Sequence, residues 1–218
     1  MLISFEGIDG CGKSTQARLL AERLEAAGYC TLLVREPGGT ELSEHIRQLL
    51  LDPGLDIEPF AELLLFSAAR RQLVIQRIRP ALQAGYIVLC DRFYDSTTAY
   101  QGGGRQIVEL DWLRDFNLRV TAGFTPHRTY WLDVPLEIAL NRRRRSTKLD
   151  RMEQADVAFF ERVRATYARL AAEEPERILR LDATARIETI HETIWADVQR
   201  LLQNSGTRSS GSGSSSKR

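Results

Sequence analysis

The stretch Gly7-Ile8-Asp9-Gly10-Cys11-Gly12-Lys13-Ser14 decides the fold of this 218-residue chain. It meets every fixed position of the pattern G-x-x-x-x-G-K-[ST], and it lies between a short apolar run and a helical pattern. Glycines let such a loop curl so that its backbone N–H groups face phosphate oxygens, and the following helix N-terminus favours negative charge. The sequence therefore predicts a phosphate-binding loop for a nucleoside triphosphate and Mg²⁺.

This predicted loop assigns roles to its residues. Lys13 is expected to bridge the β- and γ-phosphates, and Ser14 is expected to ligate Mg²⁺. Lys13 is the only lysine before Lys148 in a chain rich in arginine, and a triphosphate is suited by a flexible point charge. The ATP-binding residues predicted from this stretch are Gly7, Ile8, Asp9, Gly10, Cys11, Gly12, Lys13, Ser14 and Thr15.

A second pattern overlaps the same stretch. Gly10-x-Gly12-x-x-Thr15 nearly matches the fingerprint of dinucleotide-binding dehydrogenases, and Glu36 follows where a ribose-binding acid would lie. Thr15, however, stands where that fingerprint has its third glycine or alanine, and the fingerprint gives the lysine–serine pair no role. The phosphate-loop interpretation is therefore preferred to a dehydrogenase and to a simple glycine-rich turn.

Apolar runs that alternate with helical patterns predict the fold class. The runs are continuous, which is typical of strands buried on both faces of a parallel sheet. We predict an α/β, doubly wound domain over residues 1–204, in which helices flank both faces of a five-stranded parallel sheet. The predicted strands are Leu2–Phe5, Thr31–Val34, Tyr86–Cys90, Thr129–Leu132 and Ile178–Leu181. The predicted helical segments are Gln16–Ala27, Glu41–Leu51, Phe60–Leu82, Pro135–Arg144, Val157–Leu170 and Ile187–Leu202.

Composition excludes several classes of protein. Basic and acidic residues nearly balance, 30 against 29, so no global field directs the chain to nucleic acid or to a membrane. Three separated cysteines without a C-x-x-C pair suggest neither a zinc site nor a disulfide framework. Without a membrane-length apolar run or a signal segment, the chain is expected to be cytoplasmic. The stretch Ser205–Arg218 has no apolar residue and is expected to be a disordered tail.

A charged pair follows the third apolar run. Asp91 and Arg92 would lie at the carboxyl end of a buried strand, the edge where open α/β sheets collect ligands. Asp91 is expected to contact Mg²⁺ directly or through water, or to orient the acceptor, and Arg92 is expected to bind a phosphate. The alternative is a surface ion pair at a strand end, which the phosphate loop at the same sheet edge makes the weaker hypothesis.

Four further blocks of sequence resemble the bacterial thymidylate kinases over about residues 1–203. In chain order they are Arg35–Thr40 (REPGGT), Leu65–Arg70 (LFSAAR), Asp91–Gly102 (DRFYDSTTAYQG) and Leu149–Glu153 (LDRME). The resemblance implies the P-loop NTPase fold of nucleotide kinases, a homodimer, and an ATP- and Mg²⁺-dependent nucleoside monophosphate kinase. The implied reaction converts thymidine 5′-monophosphate (dTMP) to the diphosphate, a step of dTTP synthesis for DNA replication.

The same resemblance assigns an acceptor site by matching position. It implies that Phe66 stacks on the thymine ring, that Arg70 hydrogen-bonds the edge of that ring, and that Tyr100 crowds the 2′ position of the sugar and so disfavours ribose. Without the resemblance, Phe66 would be interpreted as a core residue and Arg70 equally as a solvated helix residue. The resemblance also implies that Arg92 binds the acceptor phosphate, that Asp9 lies near the acceptor sugar and phosphate, and that Thr97 and Gln101 complete the base and sugar contacts.

The basic stretch Arg142–Arg151, in a predicted lid over about residues 142–153, has three interpretations. It could be a nucleic-acid patch, a solvated helix face, or a mobile lid that brings positive charge to the transferred phosphoryl group. A short basic run in a neutral protein is weak evidence for nucleic acid, so no nucleic-acid partner is expected. The phosphate loop has no arginine, so the resemblance implies that the lid supplies one. Arg151 is the predicted catalytic arginine, and it acts with Lys13, Asp91 and Arg92.

Two other functions remain open at this stage. One is another P-loop nucleotide or nucleoside kinase of the same fold, which a panel of acceptors would separate. The other is a nucleotide-gated switch or binding module with slow hydrolysis. The constellation of Phe66, Arg70 and Tyr100 has no purpose in a bare switch and therefore favours the kinase.

Overall fold

The computed structural model describes residues 1–143, 151–152 and 155–204. Its five strands form one parallel sheet in the order β2-β3-β1-β4-β5. Each predicted strand is present, with its ends shifted by at most about one residue, and the predicted α/β sheet is confirmed. The tail at 205–218 and most of the predicted lid lie outside the described residues. The strands are β1 Leu2–Glu6, β2 Thr31–Arg35, β3 Ile87–Asp91, β4 Arg128–Asp133 and β5 Ile178–Asp182.

Helices connect the strands and cover the sheet. Two segments are π-helical: Val74–Ile78, which joins α3 to α4, and Thr98–Gly104, which follows α5. None of the helices in the described part of the chain is long and apolar enough to cross a membrane. The α-helices are α1 Lys13–Ala26, α2 Glu41–Leu51, α3 Pro59–Leu73, α4 Arg79–Gln83, α5 Tyr94–Thr97, α6 Leu110–Val120, α7 Leu136–Arg143, α8 Val157–Glu173 and α9 Ile187–Asn204.

Alternate residues of the central strands face opposite cores. On one face, Phe5 of β1 and Leu89 of β3 pack with side chains of α1, α8 and α9. On the other face, Leu2 and Val88 pack with the end of α3 and the π-helical segment that follows it. Because successive strand residues point to opposite faces, a continuous apolar run fills both cores. This is the doubly wound arrangement that the sequence predicts.

The stretch between β3 and β4 has more helix than the sequence predicts. No helix was expected there, yet α5, the second π-helical segment and α6 occupy it. The glycines at 102–104 weaken a helical pattern, but they allow the segment to approach its neighbours. A Cβ atom on Gly103 would lie 1.9 Å from the hydroxyl of Thr166 in α8, and one on Gly104 would lie 2.5 Å from the ring of Phe159. Close packing against α8 therefore fixes this segment where propensity alone would not.

Candidate active site

The loop between β1 and α1 has the curled backbone that its glycines predict. Gly7, Gly10 and Gly12 have φ angles of 134°, 82° and 101°, which residues with a Cβ rarely adopt. A Cβ on Gly7 would also lie 2.6 Å from the carbonyl oxygen of Leu132 in β4. The first turn of α1 follows the loop directly, so its free N–H groups lie at the carboxyl edge of the sheet.

Lys13 is held in this loop by its neighbours. Its Nζ donates to the carbonyl oxygen of Ile8 at 3.0 Å and lies 3.8 Å from Oδ1 of Asp9. The Sγ of Cys11 is 3.7 Å from the same ammonium group. Burial raises the pKa of the Cys11 thiol despite the nearby Lys13 charge, so the thiol stays neutral. The loop thus presents one positive side chain, Lys13.

Ser14 and Asp91 meet at the end of two adjacent strands. β1 and β3 pair with Phe5 opposite Asp91, and the Ser14 hydroxyl donates a hydrogen bond to Oδ2 of Asp91. A hydroxyl and a carboxylate beside a phosphate loop are the hard oxygen ligands that Mg²⁺ takes together with phosphate oxygens. Within the described residues no group of three His, Cys, Asp or Glu side chains could hold a metal ion by itself. The donor set fits a magnesium ion that the nucleotide brings.

Arg92 lies at the centre of the site in an unusual backbone conformation. Its φ is 73°, a left-handed value that costs a residue with a Cβ about 1–2 kcal/mol. Its Nη1 donates to the carbonyl oxygen of Gly7 at 2.9 Å and to Ser96 Oγ at 3.0 Å. Its Nη2 donates to Oδ1 of Asp9 at 2.6 Å and to Tyr100 Oη at 3.3 Å. Burial opposes the charge, but Asp9 and the nearby tyrosines hold the pKa of Arg92 well above its usual value.

A buried carboxylate, Glu6, holds the residues around Arg92 in place. Glu6, at the end of β1, accepts hydrogen bonds from the backbone N–H of Phe93 at 2.7 Å and from Ser96 Oγ at 2.5 Å. Tyr167 Oη donates to the same carboxylate at 3.0 Å. Burial, reinforced by the charge of Asp95, raises the pKa of Glu6 to about 7. Glu6 therefore fixes both the residue after Arg92 and the hydroxyl that Arg92 contacts.

Two pockets open at this edge of the sheet. The first has a volume of about 590 Å³ and contains the phosphate-loop residues from Asp9 to Thr15, together with Asp91 and Arg142. Gly7 and Ile8 do not line it, although Gly7 bonds Arg92. The second is narrow, about 90 Å³. Every predicted acceptor residue lines the second pocket, namely Asp9, Phe66, Arg70, Arg92, Thr97, Tyr100 and Gln101.

The two pockets share a wall, so ligands bound in them would lie next to each other. Asp9, Glu36, Arg47 and Arg92 line both of them. A phosphate bound by the loop and a phosphate bound in the narrow pocket would therefore approach each other at Asp9 and Arg92. This is the arrangement that direct transfer of a phosphoryl group between two ligands requires.

Arg70 is not the solvated helix residue that the sequence allowed as an alternative. Its side chain is 2% exposed. Its Nε donates to Oε2 of Glu36 at 2.6 Å, its Nη1 to Thr97 Oγ1 at 2.6 Å and its Nη2 to the carbonyl oxygen of Phe93 at 3.2 Å. Burial raises the pKa of Glu36 even though Arg70 opposes the shift. These bonds hold the guanidinium in the wall of the narrow pocket, where its role toward a base stays a prediction.

Phe66 and Tyr100 combine packing with pocket lining. Phe66 is partly buried and packs against two hydrophobic clusters, so it is a core residue and a pocket residue together. The Tyr100 ring lies edge-on to Phe159 at 5.9 Å between centroids, and the Arg92 guanidinium lies 5.1 Å from its centre. The two aromatic rings are therefore rigid parts of the narrow pocket.

The structure places Arg151 away from the phosphate loop. Its Nη2 donates to Oε2 of Glu62 at 2.6 Å, and its Nε donates to the carbonyl oxygen of Leu50 at 2.9 Å. Arg151 is not among the residues that line the loop pocket, whereas Arg142 is, and Arg142 donates to the carbonyl oxygen of Ala183 at 3.0 Å. Arg144–Asp150 lie outside the described residues. The catalytic role of Arg151 stays a prediction.

Sequence reasoning missed three contributors to the site. Glu36 drew notice only as the acid of a dehydrogenase fingerprint, yet it pairs with Arg70 and lines both pockets. Arg47 lies on α2 and donates to the carbonyl oxygen of Pro37 at 2.9 Å. A single arginine on a helix does not by itself indicate a binding site. Arg47 is, however, one helical turn after the buried Ser43, and this spacing could have placed it on the same inner face of α2. Ala183 and Ala185 in the loop after β5, and Ile187 at the start of α9, also line the loop pocket.

Together, the fold and the site define a P-loop kinase of small phosphorylated acceptors. A triphosphate loop, an oxygen pair suited to Mg²⁺ and a second pocket with aromatic, amide and guanidinium groups occupy one edge of a parallel sheet. Neither a dehydrogenase nor a bare nucleotide switch accounts for that second pocket.

Comparison with known proteins gives the family. The sequence profile of the thymidylate kinase family matches residues 5–194, and the chain belongs to that family. It is 47% identical over 198 residues to the thymidylate kinase of Deinococcus radiodurans, which covers 91% of this chain and 96% of that protein. It is 48% identical over 208 residues to that of Thermomicrobium roseum, which covers 95% and 98%. The crystal structure of thymidylate kinase from Ehrlichia chaffeensis is similar, with a TM-score of 0.74, 34% identity and coverage of 91% and 98%.

Proposed function

We propose that this protein transfers the γ-phosphoryl group of ATP to dTMP and releases thymidine 5′-diphosphate and ADP, a step in the synthesis of dTTP. The observation that carries the proposal is the pair of pockets that meet at Asp9 and Arg92. One pocket contains the triphosphate loop, and the other contains every residue that the sequence assigns to a thymidylate acceptor. Family membership supports the same reaction.

The proposed mechanism depends on positioning and charge. Lys13 would contact the β- and γ-phosphates from the loop, and Arg92 would hold the acceptor phosphate from the opposite side. The transferred group carries charge on its three equatorial oxygens, and both cations are fixed before the reaction by the contacts described above. Asp9 lies 3.8 Å from Nζ of Lys13 and 2.6 Å from Nη2 of Arg92, so it holds both positive side chains at the junction of the pockets.

A magnesium ion that accompanies ATP is part of the proposal. Ser14 and Asp91 would hold it, because their oxygen atoms lie together at the end of the phosphate loop. When bound, such an ion neutralises charge on the β- and γ-phosphates. A cytoplasmic location is also part of the proposal, since the reaction uses the ATP and nucleotide pools of the cell.

Steady-state kinetics with ATP and a panel of acceptors test the proposal. The panel contains dTMP, the free nucleoside thymidine, and the 5′-monophosphates of deoxyuridine, deoxycytidine, deoxyadenosine and deoxyguanosine. Each reaction is measured through ADP formation. We expect the highest kcat/KM for dTMP and loss of turnover on addition of EDTA in excess of Mg²⁺. A higher kcat/KM for another monophosphate would assign a different kinase of the same fold. ATP hydrolysis that no acceptor stimulates would favour the switch.

The lid is proposed to supply a catalytic arginine to the transferred group. For Arg151 to do so, its guanidinium must leave Glu62, which it contacts at 2.6 Å. Glu62 also pairs with Arg105, whose Nη2 lies 3.2 Å from the same carboxylate oxygen. The carboxylate therefore keeps a counter-charge when Arg151 moves, which lowers the cost of the movement.

A homodimer is the final part of the proposal. Phe60 and Leu64 of α3 and Trp112 of α6 are large apolar side chains with exposed surface. The Phe60 and Trp112 rings are 6.3 Å apart, and Trp112 stacks on Phe116 at 5.0 Å. Such a continuous apolar face is typical of an interaction site, and a two-fold axis can pair it with itself. Light scattering should give a dimer mass for the wild type and a monomer mass for Trp112→Glu.

A further inference from the structure

A buried carboxylate connects three segments around the acceptor pocket. Glu62, in the first turn of α3, has no exposed side-chain surface. Its Oε1 accepts hydrogen bonds from Nε2 of Gln101 at 2.9 Å and from Nε of Arg105 at 3.4 Å. Its Oε2 accepts from Nη2 of Arg151 at 2.6 Å and from Nη2 of Arg105 at 3.2 Å. Phosphoryl transfer gives Glu62 no role, and Glu62 itself does not line either pocket.

The contacts of Glu62 divide into two kinds. Arg105 and Arg151 supply the positive charge that a buried carboxylate needs. Gln101 is neutral, 2% exposed, and lines the acceptor pocket. Two charged partners are enough to compensate the charge of the carboxylate. The bond to Gln101 instead affects the orientation of the Gln101 amide.

Glu62 determines which way the Gln101 amide points. A carboxylate between two guanidinium groups has only acceptor atoms, so the amide nitrogen of Gln101 must face it. The amide oxygen is then left for the pocket. Arg70, in the wall of the same pocket, has only donors. Among the side chains that line this pocket, Gln101 therefore offers its amide oxygen as an acceptor, and Arg70 offers N–H donors, to the polar edge of a base.

We infer that Glu62 is a positioning residue for acceptor specificity, which acts by fixing the amide of Gln101. The inference rests on the proposed function and deepens it. The polar edge of thymine offers an N3–H donor beside the O4 acceptor, which complements this pattern. Cytosine offers the reverse, an N3 acceptor beside an amino donor. A base with the shape of thymine and the hydrogen-bond pattern of cytosine is therefore disfavoured.

The variant Glu62→Gln tests this inference because it replaces one carboxylate oxygen with an NH₂ group and removes the charge while it keeps the shape of the side chain. Its amide oxygen belongs at the Oε2 position, where the two guanidinium Nη2 atoms lie at 2.6 Å and 3.2 Å. Its nitrogen then faces Gln101, whose amide must turn over to accept the bond. The Gln101 nitrogen would point into the pocket, where it opposes the N3–H of thymine and complements N3 of cytosine.

The assay is a competition in one tube between dTMP and 5-methyldeoxycytidine 5′-monophosphate, which have the same shape. The ratio of their kcat/KM values does not depend on the fraction of enzyme that is folded, so a loss of stability alone leaves it unchanged. We expect Glu62→Gln to lower the ratio by about tenfold or more, the effect of one misdirected hydrogen bond. The matched control Arg105→Gln changes the same cluster but keeps the carboxylate, and it should keep the wild-type ratio.

Each outcome is decisive. A folded Glu62→Gln enzyme that keeps the wild-type ratio overturns the inference, and so does an equal fall in Arg105→Gln. Should the single variant yield no folded protein, Glu62→Gln/Arg105→Met removes one charge of each sign and keeps Arg151 at the Oε2 position, and the same fall in the ratio is expected. If instead the wild type does not use dTMP, the proposed function is wrong, and the inference, which rests on it, is wrong as well. A wild type that prefers dTMP, beside a variant with unchanged preference, refutes the inference alone.

Discussion

Arg92 allows backbone strain and function to be separated by two substitutions at one position. Its φ of 73° is left-handed, and its guanidinium makes the contacts at the junction of the two pockets. Arg92→Ala and Arg92→Gly both remove the guanidinium. They differ only in the Cβ atom, which alanine keeps and glycine lacks. Their difference in stability therefore measures the strain less the unfolded-state entropy of glycine, and their shared change in activity measures the contribution of the guanidinium.

The size of both effects follows from the geometry. A Cβ in the left-handed region costs about 1–2 kcal/mol, and the larger entropy of glycine in the unfolded chain offsets about 0.4–1 kcal/mol of this. Arg92→Gly should thus be more stable than Arg92→Ala by about 1 kcal/mol, or about 2–4 °C in Tm for a chain of this size. A phosphate about 4 Å from a guanidinium gains about 4 kcal/mol near a protein surface. Both variants should therefore lose about 10²–10³-fold in kcat/KM for dTMP.

Differential scanning calorimetry and initial-rate kinetics on the two purified variants measure these quantities. The Arg92→Lys variant is the control for charge, since it keeps the cation but not the fork that bonds Gly7 and Asp9. An alanine variant at least as stable as the glycine variant would refute the strain argument. Activity within tenfold of the wild type in both would refute the role of Arg92 in binding the acceptor phosphate.

Four further predictions address other parts of the site. Lys13→Ala should stay folded by circular dichroism and lose about 10³-fold in kcat, and near-normal turnover would contradict the loop assignment. Tyr100→Ala should narrow the preference for dTMP over its ribose analogue, whereas Tyr100→Phe, which keeps the ring, should preserve it. Because burial raises the pKa of Glu6 from 4.5 to about 7, the folded state binds this proton more tightly than the unfolded chain. Its contribution to stability should fall as pH rises from about 4.5 to 7, so Tm should depend less on pH in Glu6→Gln than in the wild type. Arg151→Ala should lower kcat by about 10³-fold with little change in KM for dTMP; an unchanged kcat, with the same result for Arg142→Ala, would contradict a catalytic lid.

The sheet and the phosphate loop could be predicted because their signals are local. Each strand is a short, mostly apolar run, and Gly7–Ser14 matches a pattern whose glycines are required by positive φ angles. The acceptor pocket could be predicted only through family resemblance. Phe66 has the periodicity of a core residue, and it does pack against the core, so periodicity cannot separate its two roles.

Other features depend on contacts between distant segments and left no local signal. An acid at position 62 is ordinary in the first turn of a helix, where it favours the helix dipole. Only the fold brings Gln101, Arg105 and Arg151 to its buried carboxylate. The helices after β3 were missed for a similar reason, because the packing of Gly103 and Gly104 against α8 outweighs the low helix propensity of glycine.

The predicted catalytic role of Arg151 is compatible with its bond to Glu62, because Arg105 shares that carboxylate. In the conformation described here the Arg151 guanidinium bonds Glu62, and in phosphoryl transfer it would have to reach the nucleotide. If it leaves, Arg105 still compensates the carboxylate, Glu62 still has only acceptor atoms, and the Gln101 amide keeps its direction. Acceptor choice and lid movement are then independent. Arg151→Ala should lower kcat for dTMP and for 5-methyldeoxycytidine 5′-monophosphate by the same factor, whereas Glu62→Gln should change their ratio. A changed ratio in Arg151→Ala would show instead that Arg105 alone does not hold Glu62 in place.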